Sequence, residues 1–183
     1  MMEKTMNQLP VAFFCIAILA ATPVAAMDLK SSDVADGGPF RIEQLYAKCD
    51  GSNLSPVLSW SGVPPKAKSL AVTIFDSDAS PSGWWHWIVL NIPTTVAALP
   101  RGAGRVGAAL PAGAVSGEND FGEPGYGGPC PPPGSGPHHY DITVWALNDA
   151  YPPLGSNLTG LKVGTWLQDH AIDKARITGV YER

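Results

Sequence analysis

The sequence is poor in charged residues and contains no run of basic ones. Charged side chains make up 15% of the 183 residues, and the formal net charge is −4 at pH 7. A mildly acidic chain without a basic cluster lacks the surface charge of nucleic-acid-binding proteins, and it would not be attracted to anionic membranes. We therefore expect neither a nucleic-acid partner nor electrostatic attachment to a membrane.

The chain also lacks the motifs of several enzyme and metal-site classes. It has no Gly-x-Ser-x-Gly motif, which marks the nucleophile of many hydrolases. It has no Cys-x-x-Cys or closely paired histidine spacing of the kind found in zinc sites. The acidic stretch at 112–124 lacks the alternating ligands of a calcium loop, so we interpret it as a solvated loop. The sequence thus predicts no metal and no cofactor.

The first 26 residues have the features of an export signal. Lys4 lies in a short polar start, residues 11–21 form an apolar run, and residues 24–26 offer small side chains for cleavage. The apolar run is short for a membrane span, which needs about 20 residues; an uncleaved anchor is the alternative. We predict a signal peptide at 1–26, one domain at 27–183, a periplasmic or secreted location, and no membrane anchor after cleavage.

Cysteine is scarce, with three in the chain. Cys15 would leave with the signal, so Cys49 and Cys130 would remain. An even number of cysteines in an exported protein favours a disulfide, and we expect one between these two residues. The alternative is a pair of buried free thiols.

Glycine and proline are abundant, at 20 and 18 residues. This composition favours short strands joined by turns over long helices. A strand is predicted at 40–46 from an alternation of side chains. Further strands are predicted from short, largely apolar stretches at 57–60, 70–75, 88–92, 141–147 and 175–182. Residues 159–173 are the one good candidate for a helix, because apolar side chains recur near one face. The sequence therefore predicts a mainly β domain.

Two stretches place titratable and aromatic side chains beside predicted strands. The first, residues 69–92, has a loop between its two strands with Asp76, Asp78, Trp84, His86 and Trp87. The second, residues 125–147, leads through His138, His139 and Tyr140 into another strand. Buried polar groups either satisfy one another or bind a ligand. The two stretches would form one pocket if their strands share a sheet.

The residue types in the first stretch suggest individual roles. Burial among tryptophans favours the neutral form of His86 unless a carboxylate lies close. Asp76 is the predicted partner of His86, where it would orient the imidazole ring. Asp78 is predicted to cap its own loop, as aspartates do in Asx turns.

The second stretch supplies the other side of the predicted pocket. Residues two apart on a strand face the same side, so His138 and Tyr140 should point into the pocket and His139 away from it. Gly127 and Gly128 would let the backbone approach a ligand and present N–H groups. Such a cavity suits a phosphate, sulfate or carboxylate group. The alternative is a closed polar network that binds nothing.

These motifs together resemble the phosphatidylethanolamine-binding protein family, in particular its bacterial branch of Raf kinase inhibitor-like proteins. The resemblance rests on DSDA at 76–79, WWHW at 84–87, GPCPP at 128–132 and GPHHY at 136–140, with CDGSN at 49–53 in support. It implies a β-rich fold with a large antiparallel central sheet, a second smaller sheet and few short helices. It also implies a pocket that binds phosphoryl groups.

The resemblance also implies which side chains would bind the ligand: Asp76, Asp78, Trp84, His86, Gly128, His138 and Tyr140. The chain departs from the family pattern where Ser77 and Ser80 replace prolines, which leaves the loop less rigid. It departs again where His139 replaces an arginine, which removes a fixed charge and its fork of donors.

We therefore expect an exported protein that binds a small anionic or phosphorylated ligand, with a protein partner that docks over the pocket as a further expectation. The alternative is a hydrolase in which His86 is the base, Asp76 orients it, and Ser77 or Ser80 is the nucleophile. The sequence shows no activated nucleophile, which favours binding over catalysis. We predict no enzymatic activity.

Overall fold

The computed structural model describes residues 1–2, 26–150 and 158–183. The predicted signal peptide lies almost entirely outside these residues, so it and the domain boundary at residue 27 stay predictions. Within the described ranges, no helix is long and apolar enough to cross a membrane.

The described residues form short strands, one α-helix and two turns of 3₁₀ helix. In chain order the strands are β1 Asp28–Lys30, β2 Leu58–Ser61, β3 Ser69–Asp76, β4 Trp84–Ile92, β5 Ala98–Leu99, β6 Val115–Ser116, β7 His138–Leu147 and β8 Ala171–Tyr181. The helix α1 is Gly160–His170, and the 3₁₀ turns are Ile42–Gln44 and Ala47–Cys49.

The strands form two antiparallel sheets. The larger has the order β6-β4-β3-β7-β8, and the smaller has the order β1-β2-β5. The mainly β prediction, with a large central sheet, a smaller second sheet and little helix, is confirmed. The long central strands are rich in β-branched and aromatic residues, which fit the pleated, buried surface of a sheet.

Strand β3 divides the core between its two faces. Its Leu70, Val72 and Ile74 pack with the small sheet on one side, and Ala71 packs under α1 on the other. Each of these side chains is fully buried. Burial of a Val, Leu or Ile side chain contributes about 1.5–3 kcal/mol, so the central strands are a rigid support for the residues at their ends.

Helix α1 begins with glycines because it lies directly against an indole ring. A Cβ on Gly160 would lie 2.1 Å from Cδ1 of Trp85, and one on Gly164 would lie 2.6 Å from Cζ2 of the same ring. The glycines that weaken the helix signal in the sequence thus allow the close approach of helix and sheet.

One predicted strand is wrong. Residues 40–46 contain the 3₁₀ turn Ile42–Gln44, where the amide of Arg41 donates to Oε1 of Gln44 at 3.2 Å. Ile42 is 60% exposed, whereas Gln44 is buried. The alternation that suggested a strand was therefore not a pattern of inward and outward side chains.

Candidate functional site

The two stretches meet at one end of the central sheet. Asp76, the last residue of β3, lies opposite Trp84 at the start of β4 and opposite Tyr140 near the start of β7. Antiparallel pairing brings the end of one strand beside the starts of its neighbours. The condition for one pocket, that the strands of both stretches share a sheet, is met, although Trp84 and His86 lie in β4 itself and not in a loop before it.

A β-bulge in β4 aims His86 at this site. Ile74 pairs with Trp87 and Phe75 pairs with Trp85, so His86 is an extra residue opposite β3. A bulge re-aims the side chains of its strand. The ring of His86 consequently lies edge-on to that of Tyr140, with 5.1 Å between their centroids.

These side chains surround a cavity of about 220 Å³. The residues that line it are Asp76, Ala79, Trp84, His86, Phe121, Cys130, Pro131, Pro132, His138 and Tyr140. Five of the predicted ligand residues therefore border one space. The other two, Asp78 and Gly128, are not among the residues that line it.

Asp76 is paired with His138, not with His86. Its Oδ2 lies 2.7 Å from Nδ1 of His138, and both side chains are buried. Its Oδ1 accepts hydrogen bonds from the amides of Asp78 at 2.8 Å and Ala79 at 3.1 Å. Asp76 therefore caps the loop that follows it, and the predictions that it pairs with His86 and that Asp78 is the cap are both wrong.

His86 is held by the backbone instead. Its Nδ1 lies 2.6 Å from the carbonyl oxygen of Gly127, so Nδ1 is the donor and Nε2 carries the ring's lone pair. Burial lowers the pKa of His86 to about 4. The carbonyls of Gly127 and Gly128 and the carboxylate of Asp76 favour the charged ring but do not outweigh burial. His86 is thus neutral near pH 7.

Two further polar atoms near the cavity make no well-formed hydrogen bond with any described residue. They are the indole nitrogen of Trp84 and the hydroxyl of Tyr140, both buried. Burial, followed by the nearby charge of Asp76 and a hydrogen-bonding contact with its carboxylate, raises the pKa of Tyr140 far above its usual value, so the phenol keeps its proton. Buried donors without a partner are costly, and a ligand in the cavity would offset that cost.

Known proteins are similar to this chain in sequence and in fold. The family model described as "Phosphatidylethanolamine-binding protein" matches residues 30–182. The UPF0098 protein YbcL of Escherichia coli K12 is 46% identical over 97% of this chain and 99% of its own length. The chain belongs to the phosphatidylethanolamine-binding protein (PEBP) family. Its resemblance to that family, inferred from motifs, is confirmed.

A solved structure and one further relative extend this PEBP comparison. The crystal structure of E. coli YbcL, described there as a new member of the mammalian PEBP family, matches 87% of this chain and 99% of that one, with 48% identity and a TM-score of 0.83. A Mycobacterium tuberculosis protein named lipoprotein LppC is 35% identical over 89% of this chain and 77% of its own length.

A second aspartate–histidine pair lies outside the cavity of this PEBP-family chain. Oδ2 of Asp78 accepts hydrogen bonds from the amide of His139 at 2.7 Å and from its Nδ1 at 2.8 Å. The two side chains are 41% and 52% exposed. These hydrogen bonds lower the pKa of Asp78. His139 points away from the cavity, as predicted, and its hydrogen bonds keep the carboxylate of Asp78 outside the cavity as well.

Gly127 and Gly128 of the second stretch hydrogen-bond to neighbouring segments of the protein. The amide of Gly127 donates to the carbonyl of His86 at 2.8 Å, and the amide of Gly128 donates to Oδ1 of Asn53 at 2.8 Å. A Cβ on Gly128 would lie 2.0 Å from the carbonyl oxygen of Gln44. Neither amide is presented to a ligand, so that prediction is wrong; Gly128 instead permits close backbone packing.

The predicted disulfide joins Cys49 and Cys130. Because Cys130 lines the cavity, the bond ties the cavity wall to the 3₁₀ turn Ala47–Cys49. The motifs did not reveal the wall residue Phe121, which stacks on Tyr46 with 4.3 Å between centroids. It lies in the acidic loop that we interpreted as solvated, and only its aromatic character distinguishes it there.

The acidic loop contributes structure to the fold. The buried Asn119 accepts amide hydrogen bonds from Phe121 and Glu123, and Oδ2 of Asp120 accepts one from Trp85. Within the described part of the chain, no cluster of three or more His, Cys, Asp or Glu side chains could hold a metal ion.

Proposed function

We propose that this PEBP-family protein binds a small anion or a phosphoryl head group in the cavity at the end of β3, β4 and β7. The observation that carries the proposal is the buried indole N–H of Trp84, which has no partner among the described residues, beside the buried hydroxyl of Tyr140. Both residues line the cavity. Donors directed at an anion make stronger hydrogen bonds than neutral pairs do, so an anion would satisfy both.

The size of the cavity supports a head group as the ligand. A volume of about 220 Å³ is below the roughly 300–1,000 Å³ of pockets that enclose drug-sized molecules. A phosphate or phosphorylethanolamine is small enough for such a space. If a complete lipid binds, its acyl chains would lie outside the cavity.

The charges at the cavity support proton-linked binding. No lysine or arginine is among its lining residues, and the carboxylate of Asp76 is occupied by His138 and two backbone amides. A dianion would therefore meet the neutral ring of His86. An anion in a buried site favours the charged form of a neighbouring imidazole, so binding should place a proton on Nε2 of His86.

Export is part of the same proposal. Disulfides persist mainly in oxidising compartments, and the Cys49–Cys130 bond fits a periplasmic or secreted protein. The lipoprotein name of the M. tuberculosis relative points the same way. A protein partner would dock over the exposed Pro132 and Pro133 at the cavity mouth. We propose that binding, and not conversion of the ligand, is the main activity of the cavity.

The test is a melting scan with inorganic phosphate, phosphorylethanolamine and acetate. A ligand at ten times its Kd stabilises the protein by about 1.4 kcal/mol, which corresponds to a few degrees in Tm for a chain of this size. We expect the phosphorylated ligands to raise the Tm of the wild type. His86→Ala should abolish the shift, and the exposed control His139→Ala should keep it. No shift at millimolar concentration would contradict the proposal.

A further inference from the structure

A serine hydroxyl lies at the far side of the buried Asp76–His138 pair. Oγ of Ser135 lies 3.0 Å from Nε2 of His138, whose Nδ1 lies 2.7 Å from Oδ2 of Asp76. The carboxylate thus contacts one ring nitrogen and the hydroxyl contacts the other. A serine activated by a histidine that a carboxylate orients has this arrangement, and it is recognised by geometry and not by sequence order.

The carboxylate is well placed to fix the tautomer of His138. The amides of Asp78 and Ala79 donate to its other oxygen, so Asp76 accepts hydrogen bonds from three sides. The ring of His138 also stacks near Tyr140. With its proton on Nδ1, His138 presents the lone pair of Nε2 to Ser135, which is the form that a general base requires.

Ser135 itself is exposed and lies on an unusual backbone. The flanking residues Gly134 and Gly136 have φ angles of +78° and +84°, a region that glycine adopts without a steric penalty. The serine hydroxyl has a single proton, and the carbonyl of Pro132, 2.9 Å away, is its other acceptor. Rotation of the hydroxyl would direct this proton from the carbonyl of Pro132 to Nε2 of His138. The histidine could then remove it as the oxygen attacks.

The serine is next to the cavity and to a free backbone donor. Pro132 and His138 line the cavity and both contact the hydroxyl of Ser135, which is not itself among the lining residues. The amide of Gly136 donates to no group in the described part of the chain. In many serine hydrolases the amide that follows the nucleophile stabilises the oxyanion, and Gly136 occupies that position.

We propose that Ser135, with His138 as base and Asp76 as the positioning residue, hydrolyses small acyl esters at the mouth of the cavity. Oγ of Ser135 attacks the ester carbonyl carbon while Nε2 of His138 takes its proton. The carbon–oxygen bond to the alcohol then breaks, and His138 returns the proton to the leaving alkoxide. A water molecule attacks the acyl-serine by the same route, which releases the acid and restores Ser135.

This arrangement differs from the hydrolase that the sequence suggested. In the described structure the hydroxyls of Ser77 and Ser80 make no hydrogen bond to a histidine ring. The ring of His86 is hydrogen-bonded to a backbone carbonyl and not to a carboxylate. The activity proposed now does not depend on anion binding. It would persist if phosphate failed to bind, so failure of one proposal can be distinguished from failure of the other.

The first experiment is covalent labelling of the purified protein with an alkyl fluorophosphonate, with the modified residue located by mass spectrometry. We expect a single adduct on Ser135 and none in Ser135→Ala. Because general-base catalysis typically contributes at least about 100-fold, labelling should slow by that factor in His138→Gln. The control Ser82→Ala, another exposed loop serine, should label like the wild type.

Hydrolysis of p-nitrophenyl acetate gives the second readout. The wild type should release an initial burst of p-nitrophenol as the acyl-serine forms. The burst should slow in His138→Gln but persist in the exposed control His139→Gln. Asp76→Asn keeps the acceptor for the loop amides and should lower the rate without removing the fold. If Ser135 labels no faster than Ser82, or if Ser135→Ala keeps the wild-type rate, the proposal is wrong.

Discussion

The protein contains two aspartate–histidine pairs, and they come from the same two stretches of sequence. Asp76 with His138 and Asp78 with His139 have nearly equal contact distances, 2.7 and 2.8 Å. Their side chains differ in exposure: 3% and 5% for the first pair, 41% and 52% for the second. Asp76 ends β3 and Asp78 lies in the loop that follows it, while His138 and His139 are adjacent in β7 and face opposite sides. The same chemistry therefore occurs once inside the protein and once in solvent.

The comparison shows that burial, and not contact distance, determines how much each aspartate–histidine pair contributes to the structure. The buried pair lines a cavity, caps a loop and orients a serine. The exposed pair joins the same two elements but is screened by water, where such contacts are worth about 1 kcal/mol or less. Each variant of the buried pair therefore has a matched control one or two residues away.

The largest difference should appear in stability. Asp76→Ala removes the acceptor of two amides and leaves His138 without its partner, and breaking a buried pair costs about 3–5 kcal/mol. Asp78→Ala should cost no more than about 1 kcal/mol. Urea unfolding followed by far-UV circular dichroism measures both, and equal losses would show that burial does not separate the pairs.

The next effect concerns His86, a buried histidine without a carboxylate partner. Because its pKa falls from 6.5 to about 4 on folding, the unfolded chain binds a proton between these pH values and the folded chain does not. The free energy of unfolding should therefore decrease as the pH is lowered through this window, by up to about 1.4 kcal/mol per pH unit. His86→Gln should flatten this part of the stability curve.

Unfolding measured at pH 7, 6, 5 and 4 checks this expectation. His139→Gln provides the exposed control and should keep the wild-type slope. A wild-type curve as flat as that of His86→Gln would mean that the buried ring takes up a proton without cost.

A smaller effect should appear in anion affinity. His138→Gln removes the imidazole that offsets the carboxylate of Asp76 beside the cavity, so an anion would meet a less compensated negative charge. We expect the Kd for inorganic phosphate to rise about tenfold, which is roughly 1.4 kcal/mol. His139→Gln should change the Kd less than twofold. Isothermal titration calorimetry measures both, and similar changes would place the anion elsewhere.

The smallest effect should be the acid dependence of the exposed pair. Hydrogen bonds from His139 lower the pKa of Asp78 on folding, so its contribution is present above its unfolded pKa of 3.8 and is lost as the pH falls through the folded value. Solvent screening limits the contribution to about 0.5 kcal/mol. Asp78→Asn should differ from the wild type at pH 7 but not at pH 2, and 1 M salt should remove the difference.

The sequence was sufficient for the parts of the fold that depend on local pattern. The apolar runs predicted the central strands to within a few residues, and the motifs identified the family before the comparisons did. The paired cysteines predicted the Cys49–Cys130 bond, which the structure contains. The strands follow from apolar patterning and the disulfide from the cysteine count, whereas the family follows from the resemblance of the motifs. All three are visible in one chain.

The partners within the site could not be predicted in the same way. Asp76 was matched to His86 because they are near in sequence, but a β-bulge at His86 and the register of β7 bring His138 to the carboxylate instead. Gly128 suggested a ligand contact, yet its missing side chain makes room for the backbone at Gln44. Ser135 was overlooked because only tertiary structure shows the orientation of His138.

The protonation state of His86 during phosphate binding tests the central claim most directly. Nitrogen-15 NMR of the imidazole, recorded near pH 7 during a titration with inorganic phosphate, reports whether Nε2 carries a proton. We predict a neutral ring, protonated at Nδ1 alone, in the free protein and a doubly protonated ring in the complex. If phosphate saturates the protein while the His86 signals stay unchanged, the anion does not bind at this cavity.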